Sequence, residues 1–118
     1  DCDLDSWLAG WRRTQRLNLE SAAQLCRAAL PHFIANGSGV IVNVASRAAH
    51  RGDDLHHLQY GASKAGMLAL NRAIARACGK QGVLAYGIAT LAGLHSLAIP
   101  FQPHRETSWL DSRLNRTS

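Results

Sequence analysis

Apolar residues at Leu8, Trp11, Leu19, Ala22, Cys26, Ala29, Leu30 and Phe33 recur at three- and four-residue intervals with arginines between them. That spacing predicts one long amphipathic helix over residues 6–34, with Asp5 or Ser6 able to cap its start. Asn36-Gly37-Ser38-Gly39 ends it, because glycine takes the left-handed conformation at a helix C-terminus without steric penalty. The pattern then changes to Val40-Ile41-Val42-Asn43-Val44-Ala45, short, β-branched and almost continuously apolar. Such a run predicts a strand buried on both faces, as in a parallel sheet.

Residues 47–58 read as a polar loop rich in arginine, aspartate and histidine, followed by a second helix over 59–78. Gly79-Lys80-Gln81-Gly82 stops that helix, and Val83-Leu84-Ala85-Tyr86-Gly87-Ile88-Ala89 reads as another strand. Strand, helix, strand makes one βαβ crossover, expected to be right-handed. Ala62, Ala65, Gly66, Ala69, Ala73 and Ala77 fall on successive turns of the second helix, so a neighbour packs against it at close range. From Thr90 onward no period is sustained, Pro100 and Pro103 lie close together and the end is polar. An α/β unit over residues 1–89 and an irregular tail over 90–118 follow.

The 118 residues are 47% hydrophobic and 18% charged, a globular composition with one modest core. The sequence opens on Asp1 without a leader pattern and holds no apolar run of the roughly 18 residues needed to span a bilayer. A cytoplasmic protein with no membrane partner is expected. The formal charge of +5 raises a nucleic-acid reading, but Arg12, Arg13, Arg16, Arg27, Arg72 and Arg76 are spread along helices without interleaved aromatics. No nucleic-acid partner is expected. Cys2, Cys26 and Cys78 are odd in number and scattered, which argues against both a disulfide framework and a structural zinc site.

Tyr60 and Lys64 are four residues apart on the second helix, hence on one face. Ser46 closes the first strand and is delivered to the carboxyl end of the sheet, where open α/β sheets bind ligands. A phenol ordinarily ionises near pH 10, and about three units of acidification require roughly 4 kcal/mol of preferential phenolate stabilisation. A nearby ammonium and a helix N-terminus are sources of the right sign. A phenol passing a proton to or from an oxygen that a serine hydroxyl also binds suits carbonyl reduction or alcohol oxidation. The hydride itself needs a cofactor.

Tyr60-Gly61-Ala62-Ser63-Lys64 matches the Y-x-x-x-K motif of the short-chain dehydrogenase/reductase family, which the chain resembles over about residues 7–89. Asn18-Leu19 looks like that family's helix asparagine, residues 39–46 its fifth strand with the catalytic serine, and residues 82–89 its sixth strand. The resemblance implies a partial Rossmann-like, doubly wound parallel sheet lacking the N-terminal glycine-rich βαβ half. It implies a tetrad in which Tyr60 is the general acid/base and Lys64 increases its acidity and binds the nicotinamide ribose. Ser46 would position substrate, and Asn18 would hold a water in the proton relay. NAD or NADP as cofactor, a small-molecule alcohol or carbonyl as substrate, and a homodimer or homotetramer through the two helices are likewise implied.

Two departures stand out. No glycine-rich strand-to-helix turn is present, and Asn36-Gly37-Ser38-Gly39 cannot replace it because it leads from helix to strand. After Ala89 the chain reads Thr90-Leu91-Ala92-Gly93-Leu94-His95 where the family continues with Pro-Gly. One explanation is a shifted reading frame, since codons for that hexapeptide can be chosen so that another frame reads Pro-Gly-Trp-Val-Ala. The alternative to an oxidoreductase is an inactive, truncated remnant that keeps only helix-mediated association with a like chain.

Other residues invite blander readings. His50, His56 and His57 lack a spaced third ligand and an evident carboxylate partner, so no metal is expected. Arg47 and Arg51 read as solvated loop residues, and Trp7, Trp11 and Phe33 as packing residues. Asn43 reads as a structural hydrogen-bonder on the strand.

Overall fold

A computed structural model describes residues 3–90 and 97–100. Helix α1 (Leu4–Gln15) is capped by Asp3, one turn ahead of Ser6 and earlier than the expected Asp5 or Ser6. The Asp3 carboxylate accepts from the Ser6 N–H at 2.9 Å and from the Ser6 hydroxyl at 2.8 Å, and these two bonds, the backbone one first, hold its carboxyl below the ordinary 3.8. The single long helix expected from the sequence is divided. A π-helical turn, Arg16–Glu20, separates α1 from α2 (Ser21–Asn36) without interrupting the helical path. α2 ends as foreseen: Gly37 sits at φ 67°, its N–H donates to Ile34 O, and the Ser38 N–H donates to Phe33 O, each at 3.1 Å.

Strand β1 (Gly39–Ser46) pairs in parallel with β2 (Val83–Thr90), Gly39 opposite Val83 and Ser46 opposite Thr90. The crossover between them carries α3 (Ala48–Arg51), a single turn inside the stretch read as loop, and then α4 (Leu58–Cys78) with a 3-10 turn at Gly79–Gln81. β3 (Leu97–Pro100) lies antiparallel on the far side of β2, giving the order β1-β2-β3. A strand thus occurs within the tail expected to be irregular, and pairing satisfies peptide groups on that edge of β2. Residues 91–96 and 101–118 lie outside the described residues, and with them all of the frame-shift reading except Thr90.

The core lies between the sheet and the two long helices. Ile41 on β1 and Val83 and Ala85 on β2 meet Cys26 of α2 and Ile74, Ala75 and Cys78 of α4, with Leu30, Phe33, Ile34 and Leu70 packed around them. Both described cysteines are buried free thiols within this cluster; Cys2 lies outside the described residues. On the opposite face, Val40, Val42 and Val44 are 50–56% exposed, and Leu84 is exposed as well. Burial of β1 on both faces is therefore corrected: side chains alternate along a strand, and only the odd-numbered set is covered by helices among the described residues. The small residues of α4 divide in the same way. Gly66 faces the π-helical turn so closely that an added Cβ would stand 2.7 Å from Leu19 Cδ2, whereas Ala62, Ala69, Ala73 and Ala77 are exposed. No helix among the described residues is long and apolar enough to cross a membrane.

Candidate active site

The parity of β1 decides where the site lies. The Gly39 N–H donates to Gly82 O, just before β2, at 3.2 Å, so the odd-numbered residues of β1 aim their peptide groups at β2. Alternation then turns the peptide groups of Val40, Val42 and Val44 toward the other edge, which bears no strand among the described residues. Lys64 reaches that edge: its Nζ donates to Val44 O at 2.8 Å.

Tyr60, one turn earlier on α4, shares the lysine's side of the helix, as the four-residue spacing requires. Lys64 Nζ stands 5.8 Å from the centroid of the Tyr60 ring, within cation–π range. Tyr60 is 36% exposed, so an oxygen from solution can approach it. Ser46 ends β1 two residues beyond Val44, and its hydroxyl accepts the Ala48 N–H at 3.2 Å as the chain turns into α3. The structure brings Tyr60 and Lys64 together; no hydrogen bond joins Ser46 to Tyr60 among the described residues.

Asn18 lies in the π-helical turn, a deformation that recurs at functional sites. Its Nδ2 donates to Ser63 Oγ at 3.1 Å, and Ser63 Oγ donates to Tyr60 O at 2.8 Å. Gln15 Nε2 adds a bond to Gln59 O at 3.1 Å. Side chains from α1 and the π-helical turn thus hold the first turn of α4. The sequence pattern does not single out Ser63 or Gln15; a polar serine among the small residues between the tyrosine and the lysine was the available signal.

The loop before α4 also departs from expectation. His57 does have a carboxylate partner: its Nδ1 lies 2.9 Å from Asp54 Oδ1. Asp54 also accepts the His56 N–H at 2.8 Å. That backbone bond first, and the His57 ring second, hold the Asp54 carboxyl below 3.8. Asp53 joins the two in an exposed cluster whose ligand atoms lie within 4.8 Å of one another, and its polar groups are already engaged in capping the loop.

A mostly apolar groove of about 440 Å³ runs from Asn18, Val44 and Lys64 along the bare edge of β1 toward Val40 and Phe33, with Leu17 and Leu25 on its α2 side. The residues fit one end of a nicotinamide dinucleotide: Tyr60 and Lys64 offer a hydroxyl and an ammonium suited to a ribose. They do not fit the pyrophosphate end, because β1 passes into α3 through Arg47 alone, without the glycine-rich turn that lets backbone N–H groups surround a phosphate.

The sequence matches a family model described as short chain dehydrogenase over residues 4–93. It is 34% identical over 83 residues to 2-keto-3-deoxy-L-fuconate dehydrogenase of Xanthomonas campestris pv. campestris, covering 70% of this chain and 26% of the relative. It is 34% identical over 96 residues to 4-formylbenzenesulfonate dehydrogenase of Comamonas testosteroni, covering 80% of this chain and 37% of the relative. Among solved structures, a Burkholderia xenovorans chain assigned to the short-chain dehydrogenase/reductases superposes with a TM-score of 0.64 at 29% identity, covering 92% of this chain and 40% of that one. The full-length peroxisomal multifunctional enzyme type 2 of Drosophila melanogaster shares the fold, with a TM-score of 0.66 at 22% identity over 72% of this chain and 16% of that one. The chain spans about a quarter to two fifths of the length of these curated relatives.

Proposed function

The chain belongs to the short chain dehydrogenase family, and from that premise we propose that it is the tyrosine-bearing part of an oxidoreductase acting on a hydroxyl or carbonyl group. The cofactor of the reading is NAD or NADP, which when bound supplies or accepts the hydride. Tyr60 gives a proton to the substrate oxygen in reduction and takes it back in oxidation. Lys64 binds the ribose hydroxyls. Ser46 donates a hydrogen bond to the same substrate oxygen, and Asn18 orders a water that returns protons toward Lys64. One observation carries the reading: the Lys64 ammonium 5.8 Å from the Tyr60 ring, at the carboxyl end of β1.

The relatives' names agree in class, each naming a dehydrogenase of a small organic molecule. A small-molecule alcohol or carbonyl compound is the corresponding substrate, and the exposed alanines of α4 are the surface through which two copies would associate. Sedimentation of Ala73→Glu against the unmodified chain tests that association. The DNA sequence following the codon for Ala89 tests the frame-shift reading.

Binding of NADH or NADPH to the purified chain, followed by nicotinamide fluorescence, and reduction of a panel of aldehydes and ketones test the activity. Measurable binding is the outcome for an enzyme, and in an intact version turnover that Tyr60→Phe lowers by about 10²–10⁴-fold is expected. Turnover unchanged in that variant would overturn the acid/base assignment, and no nucleotide binding would favour the remnant.

A further inference from the structure

The amide pair between α4 and the sheet has no part in the proposed chemistry, yet it gives the helix hydrogen bonds to both β1 and β2. Asn71 is fully buried. Its Nδ2 donates to Tyr86 O on β2 at 3.0 Å, and its Oδ1 accepts from Asn43 Nδ2 on β1 at 2.7 Å. The orientation of both amides follows from elementary chemistry: Tyr86 O can only accept, so Asn71 turns its nitrogen there and its oxygen to Asn43, which must donate. β2 makes room by carrying Gly87 beside it, where a Cβ would stand 2.6 Å from Leu68 Cδ2 and 3.3 Å from Asn71 Nδ2.

We infer that Asn71, held by Asn43 and Tyr86 O, is a positioning residue that sets the roll of α4 and thereby places Tyr60 and Lys64. The inference rests on the proposed role of that pair. Asn71 follows Lys64 by two turns and Tyr60 by three, so at about 100° per residue the three side chains leave the helix within about 20° of one line. The remaining buried residues of this face, including Met67, Leu68, Ile74 and Ala75, make apolar contacts, which are non-directional and tolerate a small roll. A roll of about 20° moves an atom about 6 Å from the helix axis by about 2 Å. The roll carries Tyr60 and Lys64 together, but it is enough to lose the Lys64–Val44 bond, and the lysine side chain, without that anchor, leaves its place beside the phenol. Amide bonds to two different strands resist it.

The test is NMR on the full chain, reading the nuclear Overhauser contact between the Tyr60 ring protons and the Lys64 ε-methylene. Only two tyrosines are present, which keeps the assignment simple. Asn71→Leu replaces the amide by an apolar group of similar size. Asn43→Asp keeps the shape but sets two acceptors face to face. Both variants are expected to keep the methyl signals of Ile41 and Ile74 while the Tyr60–Lys64 contact falls several-fold. A merely structural role would lower the denaturation midpoint and leave that contact unchanged in the folded population. An unchanged contact in either folded variant overturns the positioning role and leaves the proposed function standing. A contact missing from the unmodified chain overturns the pair's geometry, and with it both the function and this inference.

Discussion

The two ends of α4 are built by opposite means. At its start, Leu58 and Tyr60 are exposed, and the backbone is held by side-chain bonds from other segments, Gln15 to Gln59 O and Asn18 through Ser63 to Tyr60 O. At its far end, Ile74, Ala75 and Cys78 are buried against Cys26, Ile41, Val83 and Ala85. On the proposed chemistry the tyrosine-bearing end needs solvent and substrate access, so apolar burial cannot fix it and directional bonds take that role. The core end needs only exclusion of water, for which packing suffices. Asn71 stands between the two regimes.

The contrast is broken most severely at Tyr60. Tyr60→Phe removes a hydroxyl from an exposed ring and is expected to lower turnover by about 10²–10⁴-fold while leaving the urea midpoint unchanged. A large midpoint shift would mean that the reactive end is structural after all. Next comes Ile74→Ala, which opens a cavity in the shared core and is expected to destabilise by about 2–5 kcal/mol. Chemical denaturation measures it, and the Tyr60–Lys64 contact should survive in molecules that stay folded.

Asn18→Ala is expected to cost about 0.5–1.5 kcal/mol, since the Ser63 hydroxyl keeps its bond to Tyr60 O. Faster amide exchange should appear in the first turn of α4 and not near Cys78. The smallest effect belongs to Asp54, whose folded carboxyl ionises below 3.8. A depressed carboxylate stabilises the loop at pH values above 3.8, and that contribution is lost as pH falls through the lower, folded value. A titration of the His56 and His57 amide signals should show the loss, and Asp54→Ala should remove the dependence without altering Tyr60.

Much of this arrangement was legible along the chain. The glycine at residue 37 marked the end of α2, the β-branched run marked β1, and the four-residue interval put Tyr60 and Lys64 on one side of α4. The π-helical turn was not legible, because one extra residue in a helical repeat leaves an apolar pattern that a continuous helix would also give. Nor was the bare face of β1: a continuous apolar run specifies a strand but not whether a second layer covers it. The carboxylate beside His57 was hidden for a different reason, since loop geometry decides which of several acids turns toward a ring.

The sequence by itself determined the elements and the side of each helix on which its chemistry lies, because those follow from contacts within one or two turns of chain. Only the tertiary structure decided that Lys64 meets Val44, that Asn18 meets Ser63 and that Asn71 meets Asn43, residues 20, 45 and 28 positions apart. Hydrogen bonds of that span depend on how helix and sheet settle on one another, and no local spacing encodes that settling.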